Sequence, residues 1–290
     1  DVLAFLLAGG RFLDDATHYN NQAAVRKALR QAAVAGVPRE DVFLESRFAG
    51  KDNGYDSALR EVDGMLRDYH VDYFDLVMTA EPSSASREEH ARCSTDRNCR
   101  QQTWRALQEL KRRGVAKHIG VCNFGPRQLQ DILDLGGDPV EVNEIEFHPW
   151  TLKENRETVE WCHRRGIAVI AYGSLLNPPT AVGTLPVSGK SLGDLMKSGI
   201  FDSLGLMAGK HGKTPQQVLL RWAIQHNVTV IPGTKNPKHM RENLAIFDFE
   251  LSPEEMHVLD ATPEETHFAV FPWNLPDRER YNWPPPGPSH

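Results

Sequence analysis

The segment Leu13-Asp14-Asp15-Ala16-Thr17-His18-Tyr19-Asn20-Asn21 lies where a short β-strand is expected to turn into a helix. It places a carboxylate, Asp14, five residues before a phenol, Tyr19. On both sides of it, short β-branched or aromatic runs alternate with stretches whose apolar residues recur every three or four positions. Such alternation indicates a parallel sheet, and seven or eight strand–helix units indicate a barrel.

Seven segments have the composition of strands: Arg11–Asp15, Val42–Arg47, Tyr73–Thr79, Lys117–Val121, Val140–Ile145, Ile167–Tyr172 and Val228–Pro232. The sequence therefore predicts an α/β fold of the (β/α)8 TIM-barrel class in which the first strand is missing from the given chain. We expect one barrel domain over residues 1–262. An aromatic and proline-rich C-terminal tail, residues 263–290, is expected to fold over the barrel mouth or beside it.

The missing first strand has two interpretations. In the first, the sequence is trimmed or incomplete. In the second, the strand is truly absent, and the barrel is closed by another segment or left open. An open parallel edge exposes unpaired backbone groups, which is costly unless something covers it. A truly open edge would therefore call for a protein partner.

Composition excludes several classes of function. The chain has 290 residues, enough for one large core, and a formal net charge of −6. This charge gives no reason to expect nucleic acid or an anionic membrane as a partner. No apolar run approaches the roughly 20 residues of a membrane span, and no Cys/His spacing suggests a metal site. Cys93 and Cys99 flank a polar loop and could pair, but we expect a reduced, cytoplasmic protein.

Two further strand ends complete a pattern. They are Val42-Phe43-Leu44-Glu45-Ser46-Arg47 and the stretch from Asp75 to Pro82. With the Leu-Asp-x-Ala-x-x-Tyr-x-Asn pattern of residues 13–21, they resemble the aldo-keto reductase family, and the resemblance runs from about residue 2 to residue 262. In that family the strand ends deliver Asp, Tyr, Lys and His. The corresponding positions here are Asp14, Tyr19, Arg47 and Ala80.

The resemblance implies NAD(P)(H)-dependent reduction of an aldehyde or ketone, or oxidation of an alcohol, with Tyr19 as proton donor and Asp14 as charge partner. Arg47 retains a positive charge, but its planar guanidinium differs from a compact ammonium and favours a bidentate pair with Asp14. Ala80 has no side-chain donor, and losing one oriented donor typically costs about 10²–10³ in rate. Glu81 or His18 could substitute in a changed chemistry, or could simply face solvent.

The resemblance also implies a dinucleotide site. Its residues are Cys122, Asn123, Glu144, Tyr172, Gly173, Ser174, Leu175, Thr234, Lys235, His239, Glu242 and Asn243. Cys122 and Glu144 replace the usual serine and glutamine, while Tyr172 is expected to stack on the nicotinamide ring. Gly233 and His239 stand where many relatives have the lysine and arginine that bind a 2′-phosphate. The sequence therefore leaves open whether NADP or NAD is the cofactor, and whether binding is weak or lost.

Two main functional hypotheses follow. The first is an aldo-keto reductase-like oxidoreductase of weak or altered activity on a small aldehyde or ketone. The second is a catalytically retired barrel, a pseudoenzyme that serves as a binding or structural subunit of a larger assembly. The first is favoured by Asp14, Tyr19, Asn123, Tyr172, Glu242 and Asn243. The second is favoured by the missing first strand and by the replacements at Arg47, Ala80, Glu144 and Gly233. A third hypothesis is a non-redox reaction, such as isomerisation or dehydration, in the same pocket.

Overall fold

The strands of the protein lie close to the segments predicted for them. The computed structural model describes residues 1–82, 95–175 and 199–262. Within these ranges the strands are β1 (Phe12–Ala16), β2 (Phe43–Phe48), β3 (Phe74–Thr79), β4 (Ala116–Cys122), β5 (Val142–Glu146), β6 (Ala168–Tyr172) and β7 (Val228–Val230). The largest offsets from the predicted ends are two residues, Val142 against Val140 and Val230 against Pro232.

Helices separate most of these strands. In the described ranges the α-helices are α1 (Val2–Leu7), α2 (Gln22–Val34), α3 (Tyr55–Tyr69), α4 (Asp96–Arg112), α5 (Pro126–Leu133), α6 (Leu152–His163), α7 (Ile200–His211), α8 (Pro215–Gln225), α9 (Pro237–Leu244) and α10 (Pro253–Asp260). A three-residue 3-10 helix, Thr17–Tyr19, follows β1 directly. The strand–helix alternation read from the sequence is therefore present.

The strands follow one another in chain order, β1 to β7, in one sheet. The pairs β1–β2, β2–β3, β3–β4 and β6–β7 are parallel. This is the strand order of a (β/α)8 barrel with one strand fewer among the described residues, so the predicted fold class is confirmed. The chain divides into two compact units, with the boundary between Asn143 and Glu144. The prediction of one domain over residues 1–262 stays a prediction.

The first unit surrounds β3. All six residues of this strand are buried, which explains its nearly continuous apolar composition. Helix α3 buries Val62, Met65 and Tyr69, at spacings of three and four, on one face. The helix ends at Tyr69, and its C-cap, His70, adopts the left-handed conformation at φ 53°. Because β1, β2 and β3 pair in parallel, their carboxyl ends lie side by side.

The second unit is organised around aromatic stacking. The ring of Phe147, just after β5, stacks on Trp222 of α8 at a centroid distance of 4.9 Å. Both side chains are completely buried. The indole nitrogen of Trp222 donates to Asp260 Oδ1 at 2.8 Å, so the polar atom of the buried ring is satisfied. Thr214 begins α8 with a capping box, and Pro215 occupies the first helical turn.

Three expectations concern particular segments. Cys99 is disulfide-bonded and completely buried near the amino end of α4, so the expectation that it is reduced is wrong. The sequence suggested Cys93 as a possible disulfide partner of Cys99. Cys93 lies outside the described residues. The tail, residues 263–290, also lies outside them. No helix in the described part of the chain is both long and apolar enough to cross a membrane.

Candidate active site

Strands β1 and β2 present their ionisable side chains to one face of the sheet. The register pairs Asp14 with Glu45 and Ala16 with Arg47. Because alternate residues of a strand point to the same side, Glu45 and Arg47 share the face on which Asp14 lies. Ser46 points the other way, and its hydroxyl lies 3.3 Å from the hydroxyl of Tyr69 on α3. The charged side chains of Asp14, Glu45 and Arg47 therefore lie on one face of the sheet, and the contact of Ser46 with Tyr69 lies on the other.

Arg47 joins three groups. Its Nη1 atom pairs with Asp14 Oδ1 and lies 3.4 Å from Glu45 Oε1. Its Nη2 atom donates to the hydroxyl of Tyr19 at 2.7 Å. The guanidinium side chain is only 8% exposed, so these contacts form in a largely desolvated place. Arg47, from the end of β2, is thus in direct contact with Asp14 and Tyr19, which were predicted from the end of the preceding strand.

Tyr19 ends the 3-10 helix after β1 and remains 45% exposed, so its hydroxyl combines a buried partner with access from solvent. The next residue, Asn20, takes the left-handed conformation at φ 53° and turns the chain towards α2. The ring of His18 lies edge-on to Tyr19, with centroids 4.6 Å apart. Desolvation and the charge of Arg47 lower the pKa of His18, which favours its neutral form.

Ala80 lies just after β3 and is held through its backbone. Its N–H donates to the carbonyl of Phe48 at 2.9 Å, which places it beside the end of β2. Its carbonyl accepts a hydrogen bond of 2.9 Å from the side-chain amide of Asn123. Glu81 is partly buried, and its backbone carbonyl accepts from Asn53 Nδ2 at 3.0 Å. The methyl group of Ala80 supplies no hydrogen bond to this site.

Cys122 is the last residue of β4, and Asn123 follows it. Asn123 is 6% exposed and adopts the left-handed conformation at φ 65°, which asparagine tolerates better than most residues. Its Nδ2 atom lies 3.2 Å from Cys122 Sγ, in addition to its bond to Ala80. This backbone turn aims the amide of Asn123 across the ends of β3 and β4.

In the second unit, the predicted nicotinamide-side residues follow β6. Tyr172 is the last residue of that strand and is partly buried. Gly173 has φ 68°, and a Cβ atom there would lie 3.3 Å from Glu146 Cγ, so both conformation and space favour glycine. The hydroxyl of Ser174 donates to Ala171 at 3.2 Å. Leu175 is the last described residue of this turn, and Glu144 is completely buried in β5.

The predicted adenosine-side residues lie around the start of α9. The Thr234 hydroxyl accepts from Asn236 N–H at 3.1 Å, and Asn236 caps the helix by accepting from the N–H of Lys238. The side chains of Lys235 and His239 are exposed there, with His239 3.3 Å from Asn236 Nδ2. A helix amino end beside a lysine and a histidine suits an anionic ligand.

Two more adenosine-side predictions lie further along α9. Glu242 Oε1 is 3.6 Å from Lys238 Nζ, and the carbonyl of Glu242 accepts from Gln217 at 2.9 Å. Asn243 is partly buried. The backbone of this turn is therefore tied to α8, while the side chain of Glu242 stays near the helix surface.

Glu45 is the residue of this cluster that the motif comparison missed. It is completely buried and contacts Arg47, yet no pattern of the family draws attention to it. The two-residue period of a strand was the available signal, since Glu45 precedes Arg47 by two positions in a predicted strand.

The comparisons with known proteins agree on one family. The sequence model of the aldo/keto reductase family matches residues 1–264. An aldo-keto reductase of Mycobacterium sp. (strain MCS) is 35% identical over 283 residues, covering 98% of this chain and 86% of that protein. Aldo-keto reductase family 1 member A1 of Mus musculus is 32% identical over 276 residues, covering 91% of this chain and 81% of that protein.

Solved structures show the same fold. An aldo/keto reductase from Brucella melitensis superposes with a TM-score of 0.72 at 30% identity, covering 89% of this chain and 87% of that one. The Bombyx mori aldo-keto reductase, solved in complex with NADP, has a TM-score of 0.79 at 24% identity, covering 97% and 87%. From the family match and these relatives we conclude that the chain belongs to the aldo/keto reductase family.

Proposed function

We propose that this chain is an NAD(P)(H)-dependent oxidoreductase that reduces a small aldehyde or ketone, or oxidises the corresponding alcohol, at a low rate. Members of the family use NADP(H) and act on such substrates. The single observation that carries the proposal is the 2.7 Å hydrogen bond from Arg47 to the Tyr19 hydroxyl, with Asp14 paired to the same guanidinium. A phenol beside a buried cation is a suitable proton donor.

The proposed proton transfer uses groups already in place. Tyr19 donates its proton to the carbonyl oxygen of the substrate as negative charge develops there. Arg47 stabilises the phenolate that remains, because an adjacent positive charge favours the charged form of the phenol. Asp14 holds the guanidinium in position. A bound nicotinamide dinucleotide would supply the hydride that reaches the carbonyl carbon.

Two features account for the proposed low rate. Ala80 offers no side-chain donor to orient the carbonyl oxygen, which typically costs about 10²–10³ in rate. Arg47 divides its charge between Tyr19 and the carboxylates of Asp14 and Glu45. Since losses within one site are not additive, we expect a combined deficit on the order of 10³–10⁵ for ordinary carbonyl reduction.

The residues of the candidate cofactor site fit a dinucleotide in their chemistry. Lys235 and His239 are exposed at the capped amino end of α9, where they would hold a phosphate. Tyr172 would face the nicotinamide ring, with Gly173 and Ser174 following it. Because Gly233 has no side chain to bind a 2′-phosphate, the preference for NADP over NAD is expected to be small.

One observation favours the second candidate function, a retired barrel that binds a partner or supports an assembly. The side-chain amide of Asn123, which would hold the nicotinamide carboxamide, donates to the carbonyl of Ala80 at 2.9 Å. Binding of a dinucleotide would then have to replace an internal hydrogen bond. If the barrel is catalytically inactive and serves as a binding or structural subunit, we expect weak or absent binding of both dinucleotides.

Fluorescence titration with NADPH and NADH, followed by turnover assays on a small aldehyde, tests the proposal. We expect at least micromolar binding of one dinucleotide and slow turnover that Tyr19→Phe abolishes without changing the binding. Tyr55→Phe, which alters another partly exposed tyrosine at the start of α3, is the matched control and should retain turnover. Flat titrations with both dinucleotides would rule out the oxidoreductase and support the retired barrel.

A further inference from the structure

We propose that Glu45 is a positioning residue that holds Arg47 so that its Nη2 atom points at the hydroxyl of Tyr19. The inference deepens the proposed function and rests on it for its kinetic consequence. Glu45 is completely buried in β2, and its Oε1 atom lies 3.4 Å from Arg47 Nη1. A buried carboxylate needs a charged or hydrogen-bonding partner, and Arg47 is the cation placed to serve it.

The sheet register explains why the guanidinium sits where it does. Asp14 and Glu45 are direct neighbours on adjacent strands and face the same side. Two carboxylates so placed repel one another unless a cation lies against both. Arg47 projects from the same face two residues beyond Glu45, and its Nη1 atom contacts both carboxylates. Neutralisation of this pair therefore anchors one end of the guanidinium.

The other end of the guanidinium is then directed towards Tyr19. Nη2 and Nη1 have a rigid, planar relation to each other, so anchoring Nη1 sets the direction of Nη2. The resulting contact with Tyr19 is 2.7 Å long. A lysine has one nitrogen and no such fork. Glu45 thus supplies a physical reason for an arginine at position 47, because two acids and one phenol require two separate nitrogens.

Glu45 acts through Arg47 and does not reach the substrate. It lies two residues nearer the amino end of β2, roughly 6.6 Å deeper along the strand than Arg47. Tyr19 is 45% exposed, whereas Glu45 has no exposed surface. Glu45 therefore orients the guanidinium of Arg47. Its loss should affect turnover without affecting how a dinucleotide binds.

Three variants test this role. Glu45→Met keeps the side-chain length but removes the acceptor, whereas Glu45→Gln keeps an acceptor oxygen. Ser46→Ala changes a buried neighbour that faces the opposite side of the strand. We expect Glu45→Met to lower kcat roughly 10- to 100-fold, since misplacing a reacting group by about 1 Å costs up to about 10²-fold. Glu45→Gln should restore most of that loss, and KM for NADPH should stay within about twofold in both.

The Ser46→Ala variant should keep the kcat of the unmutated protein, since it loses only a contact on the far side of the strand. A kcat for a folded Glu45→Met variant within about twofold of the unmutated protein would overturn the proposal. So would equal losses in the Met and Gln variants. Should Glu45→Met fail to fold, Glu45→Thr, whose hydroxyl is too short to reach Arg47, takes its place: a loss of kcat larger than that of Ser46→Ala supports the role, and an equal kcat overturns it.

Crystal structures of the unmutated protein and of a Glu45 variant test the same role without any turnover. We expect the Arg47 Nη2–Tyr19 Oη distance to lengthen beyond hydrogen-bonding range in Glu45→Met. An unchanged guanidinium would overturn the positioning role, whatever the activity. Absence of turnover in the unmutated protein would instead count against the proposed function, so the two failures are distinguishable.

Discussion

Arg47 and Tyr19, which come from the ends of different strands, are joined by a hydrogen bond of 2.7 Å from Nη2 to the phenolic oxygen. The cation is almost buried and the phenol is nearly half exposed. This combination lets a charge act at low dielectric on a group that solvent or a ligand can reach. It is the geometric basis of the oxidoreductase proposal.

Removing the cation should therefore slow turnover. We expect Arg47→Met to lower kcat by about 10²–10³, because Arg47 donates directly to the Tyr19 hydroxyl. Steady-state kinetics with a saturating dinucleotide measure the effect. Arg26→Met, which removes a partly exposed arginine of α2 that donates to the backbone carbonyl of Asp68, is the control and should leave kcat unchanged. Unchanged kcat in Arg47→Met would contradict the assigned role.

Adding a donor at position 80 should have the opposite effect. Ala80→His introduces an imidazole beside the ends of β2 and β3, and we expect kcat for a small aldehyde to rise by about tenfold or more. Ala80→Leu is the matched control, since it adds bulk without a hydrogen-bond donor. A similar rate in both variants would mean that a missing donor does not limit the reaction. Urea unfolding of both variants checks that the nearly buried position tolerates the added volume.

Stability at acid pH should depend on Asp75, at the start of β3. Burial alone would raise its pKa, but the backbone N–H of Leu44 and the Lys117 and Arg39 side chains outweigh burial and lower the pKa. A carboxyl with a depressed folded-state pKa stabilises the protein above its unfolded value, about 3.9, and loses that contribution as pH falls through the folded value. The folded protein should therefore lose stability in this acid range.

Asp75→Asn measures this contribution. We expect it to reduce the free energy of unfolding by about 1–3 kcal/mol at pH 7, and the difference from the unmutated protein to shrink as pH falls below about 4. Urea unfolding curves between neutral and acid pH provide the comparison. Asp72→Asn, at an exposed neighbouring position, should show little difference at any pH. A pH-independent loss in Asp75→Asn would contradict the electrostatic explanation.

The buried contact between α3 and β1 should also contribute less to stability as pH falls. The Tyr69 hydroxyl donates to Asp15 Oδ2 at 2.9 Å, and desolvation raises the pKa of Asp15. Tyr69→Phe should cost about 1–3 kcal/mol at pH 7, because it leaves a buried carboxylate oxygen without that donor. The cost should shrink as pH falls through the raised pKa and the carboxyl becomes neutral. Urea unfolding measures it, and a cost that grows on acidification would contradict this account.

The positions of the strands followed from local sequence, and the residues of the site followed from the resemblance to the aldo-keto reductase family. The strand segments were predicted from β-branched and aromatic runs. Side chains alternate between the two faces of a strand, so such runs can be recognised without knowledge of the tertiary structure. Asp14, Tyr19 and Arg47 were expected at neighbouring strand ends, since parallel strands bring their carboxyl ends to one edge. Their mutual contact in the structure agrees with that expectation. Their catalytic roles stay predictions.

Tertiary structure alone decided which atoms meet. The register that sets Asp14 beside Glu45 and the hydrogen bond from Asn123 to Ala80 join residues whose separation along the chain carries no signal of contact. Each depends on the packing of whole strands and helices. Composition and periodicity determine which face a side chain occupies, whereas the distance between two side chains is set only when several elements pack together.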